Sequence, residues 1–259
     1  MNTVFSLKLV LVPLLIAAVT IAGRRWGPGI AGWLSGFPIV TGPILFFIAM
    51  EQGADFGAVA ALGTLAGLPA VLIFNVTYAW MSIRHSWPAS LACAALNYGC
   101  GVTALVSLQL SAMVLVPLVA ALLLIAPRLF PAVPVTPASA ARPGGHGELA
   151  YRMLAAALLV YAVTHFAAAL GPRWSGAFAM FPIISIVMAS FSHHYSGSAF
   201  AIRLLKGVIL GWYALAVFCV LLYLLLPHMA LWLALSVAAA SALVVQTATR
   251  IFTGRALRT

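Results

Sequence analysis

Acidic side chains are nearly missing from this chain: 3 Asp and Glu stand against 13 Lys and Arg among 259 residues, and charged residues make up only 6%. The three acids are Glu51, Asp55 and Glu148, each at an expected helix end or in a loop. Carboxylate-based proton and sodium carriers keep an acid near the bilayer midplane, so coupling through a buried acid is disfavoured. A uniporter, an exchanger, or coupling through histidine or backbone carbonyls stays open. Also missing are a Walker A sequence, H-E-x-x-H, G-x-S-x-G and paired acids within a span. Neither an ATPase nor an intramembrane enzyme is therefore expected, and no cofactor or metal. Cysteine is scarce: Cys93, Cys100 and Cys219 lie inside apolar runs without zinc-ligand spacing and read as inert packing residues.

What fills the chain is hydrocarbon. Hydrophobic residues are 64% and mean hydropathy is +1.14, more apolar surface than one soluble core of this length can hide. Bilayer lipid hides it. The net charge of +10 comes from cations spread singly between apolar runs, the pattern of inner membrane loops and not of a nucleic-acid surface. Runs of spanning length predict nine helices, at about 4–23, 27–50, 57–82, 88–108, 111–130, 149–170, 173–192, 200–226 and 229–252. The first has no A-x-A site and is followed by Arg24-Arg25, so it is expected to be retained and not cleaved. Loops after helices one, three, five and seven, with the C-terminal tail, hold 11 of the 13 cations; the other side has only Lys8 and Arg173. That bias predicts a bacterial inner-membrane protein with a periplasmic N terminus and a cytoplasmic C terminus.

The chain also contains itself twice. Gly27-Pro28, Gly32, Phe37-Pro38-Ile39, Gly53, Phe56, Gly63, Gly67 and Phe74 recur 144 positions later as Gly171-Pro172, Gly176, Phe181-Pro182-Ile183, Gly197, Phe200, Gly207, Gly211 and Phe218. The expected organisation is repeat one over 1–108 (helices one to four), a linker helix and cytoplasmic loop over 109–148, and repeat two over 149–259 (helices six to nine). An odd number of spans before the second repeat makes it enter from the opposite side. The fold class is then an all-α polytopic membrane protein of two four-helix inverted-topology repeats, the architecture of many secondary transporters.

Each Phe-Pro motif falls near mid-span, where proline removes a helical hydrogen bond and lipid offers no replacement partner. Broken helices lining a solute site are expected there, with Pro38 and Pro182 opening the backbone. Thr41 and Ser185 would orient a solute, while Phe37 and Phe181 would act as apolar walls. Kinks that only let helices pack are the alternative. Gly63-x-x-x-Gly67 and Gly207-x-x-x-Gly211 read as close-packing faces, expected to join the third and eighth helices. Asymmetry between the copies points elsewhere. Arg203 and Lys206 replace Val59 and Leu62, either as interface anchors or as a cationic vestibule, with His193 and His194 across the entrance. His165, opposite Ile21, is a candidate proton carrier or a packing histidine. Asn75, Asn97 and Gln246 bridge helices or touch substrate.

The phrase Gly27-Pro28 through Thr41, followed by Glu51-Gln52-Gly53, resembles the small hydrophobic bacterial membrane proteins of the GlpM type, each about one repeat long. The likeness covers 27–53 well and 171–197 less well, since His193-His194 replaces the acidic turn. The resemblance implies a four-helix unit able to insert in both orientations and later fuse, and it implies no substrate. The expected function is a secondary transporter of a small solute by alternating access, with Arg203 guiding the solute if it is an anion. A lipid-phosphate flippase or a membrane subunit of an envelope-polymer machine is the alternative. Expected partners are membrane lipid and the solute, with no nucleic acid, and the chain would act as a monomer or homodimer.

Overall fold

The computed structural model describes residues 3–108, 110–133, 147–169 and 180–256. Among these residues it forms ten helices and no strand: α1 (Thr3–Trp26), α2 (Pro28–Ser35), α3 (Thr41–Gln52), α4 (Ala54–Met81), α5 (Trp87–Leu108), α6 (Ala112–Leu129), α7 (Glu148–Ala169), α8 (Ile183–Ser196), α9 (Ser198–Leu225) and α10 (Leu231–Ala256). Five contain stretches long and apolar enough to cross a bilayer: Leu9–Trp26, Ala54–Met81, Ala112–Leu129, Ser198–Leu225 and Leu231–Ile251. The expected span at 27–50 is divided between α2 and α3, of 8 and 12 residues. Neither half alone reaches across about 30 Å of hydrocarbon at 1.5 Å per residue.

Helix boundaries follow the 144-residue offset. α4 and α9 are both 28 residues and start at Ala54 and Ser198, while α5 and α10 start at Trp87 and Leu231. Local chemistry explains the shared ends. Gly53 (φ 95°, ψ 163°) and Gly197 (φ 85°, ψ 168°) join α3 to α4 and α8 to α9 in a conformation that side chains with a Cβ avoid. Around both Phe-Pro motifs the backbone makes the same bonds: Ile39 N–H donates to Phe37 O and Ile183 N–H to Phe181 O, each at 2.8 Å. One residue on, Gly42 donates to Pro38 O and Ile186 to Pro182 O, again at 2.8 Å. The first pair closes a three-residue turn over the proline; α8 starts at Ile183, the last residue of its turn, and α3 at Thr41, two residues after Ile39.

α9 is the centre of the fold. It packs against α2, α4, α6, α8 and α10, and Leu204, Leu205, Ile209, Phe218 and Leu222 on it are fully buried. The contact with α2 is backbone on backbone. A Cβ on Gly32 would overlap the Leu204 carbonyl oxygen, and one on Gly211 would lie 2.6 Å from the Gly36 Cα. The Gly207/Gly211 face therefore meets α2 and not the matching glycines of α4. This corrects the expected pairing of the two glycine motifs. Gly67 instead faces Met180, and Gly63 faces open space.

Two carbonyls without a helical partner are covered by side chains from neighbouring helices, as an apolar surround favours. Pro127 cannot donate to Leu123 O, which accepts from the Tyr213 hydroxyl at 2.6 Å. Where α2 breaks, Trp33 O accepts from Gln246 Nε2 at 2.9 Å, so Gln246 is a helix bridge. Outward faces stay apolar: Met113 (91% exposed), Leu96, Val114, Leu124, Trp232 and Val244 all point away from the core, which suits hydrocarbon and not water.

Candidate functional site

In a chain with three acids, one is buried. Glu148 opens α7 and is 4% exposed, as is Arg152 one turn further on. Spacing of i and i+4 places both on one helix face. Arg152 Nε and one terminal nitrogen donate to Glu148 Oε1 at 2.8 and 2.5 Å, and Arg24 from the last turn of α1 donates to Oε2 at 2.6 Å. Helix polarity favours the arrangement, with an acid in the first turn of α7 and a base in the last turn of α1. Burial pushes the Glu148 carboxyl up, but the Arg152 and Arg24 guanidiniums outweigh it and hold the group below its usual range.

Side chains of α8 and α1 surround the cluster. Arg152 reaches Ser192 Oγ at 3.4 Å and Met188 Sδ at 3.6 Å, and its guanidinium lies 5.4 Å from the Phe191 ring centre. Thr20 Oγ1 donates to Ile16 O at 2.7 Å and sits 3.7 Å from the same sulfur. Thr20, Arg24, Glu148, Arg152, Met188, Ser192 and Ser196 are among the residues lining a cavity of about 20 Å³, enough for about one water-sized occupant. Two guanidiniums against one carboxylate leave it with an excess of one positive charge.

None of the sequence-expected residues lines this cavity. Pro38 and Pro182 are buried in their turns, Phe37 and Thr41 are half-buried, and Ser185 is buried. Phe181 meets the Tyr98 ring edge to face at 5.6 Å. Arg203 is half-buried, and its Nε donates to Ala199 O at 3.2 Å within its own helix. His165 is exposed and stacks on Tyr161 at 6.0 Å, one turn back. Asn97 donates to Cys93 O within α5.

Comparison with protein-family models, curated proteins and solved structures finds no match. Geometry alone must assign the roles.

A second polar group lies between α4 and α8. Tyr78, fully buried, has its hydroxyl 3.3 Å from His193 Nδ1, and the Ser190 hydroxyl is buried one turn before His193. Asn75, one turn before Tyr78 and 0% exposed, has no hydrogen-bond partner for either amide atom. At the matching positions 144 residues away stand Cys219, Leu222, Phe46 and Ala49. The polar group thus has no counterpart at the 144-shifted positions.

Sequence reasoning passed over Glu148 and Arg152 by assigning the acid to a loop and the base to the inner-side charge count. The signal was present: Val4 and Lys8 occupy the matching positions of the first copy, so the pair is specific to the second.

Proposed function

We infer that this protein is a bacterial inner-membrane secondary transporter that moves a small solute by alternating access between two inverted repeats. The observation that carries it is an exchange of contacts. Gly36 packs on Gly211, and Met180 packs on Gly67. Each partner is displaced by 144 positions in opposite directions, as a two-fold relation between repeats requires. α3 against α10 and α5 against α8 repeat the exchange, through Phe46 on Trp232 at 4.7 Å and Trp87 on His194 at 6.3 Å. The axis direction follows from α1 and α7, which begin 145 positions apart and pack together. The end of one meets the start of the other through Arg24 and Glu148. Matching helices that run antiparallel need an axis perpendicular to them, in the membrane plane.

On this reading nine spans cross the membrane with the N terminus periplasmic; 27–50 is broken between α2 and α3, and the first part of the expected span 173–192, residues 173–179, lies outside the described residues. The Arg24–Glu148–Arg152 cluster ties repeat one to repeat two at the cytoplasmic end and closes that mouth. Its counterpart at the other end would be Ala168, Val4 and Lys8, which cannot form the same lock. Phe37, Pro38, Thr41, Phe181, Pro182 and Ser185 form the moving breaks. No cofactor is needed for such a cycle.

The test is solute counterflow into proteoliposomes across a panel of organic anions, sugars, amino acids and inorganic ions. Uptake of one class, reduced at least tenfold by Pro38→Ala and by Pro182→Ala with the protein still folded, is expected. Full uptake in both variants would remove the breaks from the mechanism. Movement of only a labelled lipid phosphate between leaflets would replace the carrier by a flippase.

A further inference from the structure

We propose that the cavity between Arg24, Arg152 and Ser192 is a binding site for one small monovalent anion, a halide or a single oxygen of an oxyanion. This goes beyond transport, because binding follows from the arginine geometry whether the anion is cargo or a resident ion.

The donor supply exceeds what Glu148 can accept. Each guanidinium carries five N–H groups. Arg24 spends one of them on Glu148 Oε2, and Arg152 turns Nε and one terminal nitrogen to Oε1. Among the described residues the other terminal nitrogen of Arg152 meets Ser192 Oγ at 3.4 Å and Met188 Sδ at 3.6 Å. Both are weak acceptors for a buried cation, and Arg152 is 4% exposed. A guanidinium held this far from water needs a stronger acceptor than a thioether.

Charge agrees with hydrogen bonding. One carboxylate neutralises one of the two arginines, and a monovalent anion neutralises the other. Size then narrows the class. The cavity holds about 20 Å³, so a halide fits whole, whereas phosphate or a carboxylate enters by one oxygen. Arg24, 36% exposed, stands at the open side and gives the route in.

The test is thermal unfolding and equilibrium binding in mild detergent at constant ionic strength. Chloride, bromide, formate and phosphate are each exchanged against gluconate, which is too large to enter whole and has at most one carboxylate oxygen to present. A saturable rise in Tm of about 3 °C or more in chloride is expected for the wild type. Glu148→Gln, which leaves both guanidiniums without a carboxylate, should tighten anion binding at least tenfold. Arg152→Gln should weaken it at least tenfold; if that variant does not fold, Arg24→Gln at the exposed edge serves instead. Arg84→Gln, an exposed arginine elsewhere, should leave binding unchanged. Halide binding without formate or phosphate binding marks a monatomic site, and binding of all four marks a single-oxygen site; either supports the proposal. Absence of saturable chloride binding to both wild type and Glu148→Gln would overturn it, as would an equal loss in Arg84→Gln. These measurements involve no flux, so failure of the anion site is separable from failure of the transporter reading.

Discussion

The residue that most rewards attention is Glu148, because its surroundings reverse what burial alone would do. Its carboxyl is held below the usual range by Arg152 and Arg24. A depressed pKa in the folded state means stability that is complete above the ordinary carboxyl range near pH 4 and lost as pH falls through the lower folded value. Thermal unfolding from pH 7 down to pH 3 should therefore show an acid-side loss that Glu148→Gln blunts. An identical acid slope in the variant would show that other groups set it. Arg152→Leu is a harsher change. It strands the carboxylate with Arg24 alone, and breaking a buried pair in this way costs about 3–5 kcal/mol. The double variant Glu148→Gln/Arg152→Leu should recover much of that loss in Tm. Both effects belong to the Glu148–Arg152 pair, which the i, i+4 spacing on α7 holds together.

At the scale of elements, the contact of α2 with α9 separates glycines that sequence treats alike. Gly211 lies against Trp33 O and Gly36, so any side chain there forces backbone to move. Gly211→Ala should destabilise by at least about 1–3 kcal/mol, as overpacking of a close contact does. Gly63, in the matching motif of α4, has nothing within 4 Å of where a Cβ would sit. Gly63→Ala should be neutral or slightly stabilising through better helix propensity. Unfolding of the two variants in one detergent compares them directly, and equal losses would mean that the α2–α9 approach is looser than drawn. Gly53→Ala tests a different cause, because its φ of 95° penalises any Cβ even in open space. A cost of about 1–3 kcal/mol is expected there. The glycine spacing was legible in the sequence; the identity of the facing helix was not, because a small-residue face is compatible with any neighbour that has one.

For the whole molecule, the prediction concerns sidedness. A C-terminal fluorescent reporter that folds only in the cytoplasm should be active, while a reporter active only in the periplasm should be silent there. The reverse result would invert the assignment and place the Arg24–Glu148–Arg152 cluster at the periplasmic mouth. Composition and apolar run length dictated an all-helical chain with helices able to cross a bilayer, since lipid leaves the backbone no other partner than itself. The expected spans begin at 57 and 200 and at 88 and 229, whereas α4 and α9 start one full offset apart because the paired hinges Gly53 and Gly197 set their first residues. Tertiary structure alone decided the rest. It turned Gln246 onto Trp33 O, swapped the expected glycine partners, and closed two arginines from different helices around one buried acid. Those outcomes depend on which surfaces meet across more than a hundred residues of chain. Local periodicity carries no information about that, and in a uniformly apolar sequence hydrophobic patterning cannot distinguish a face turned to lipid from one turned to protein.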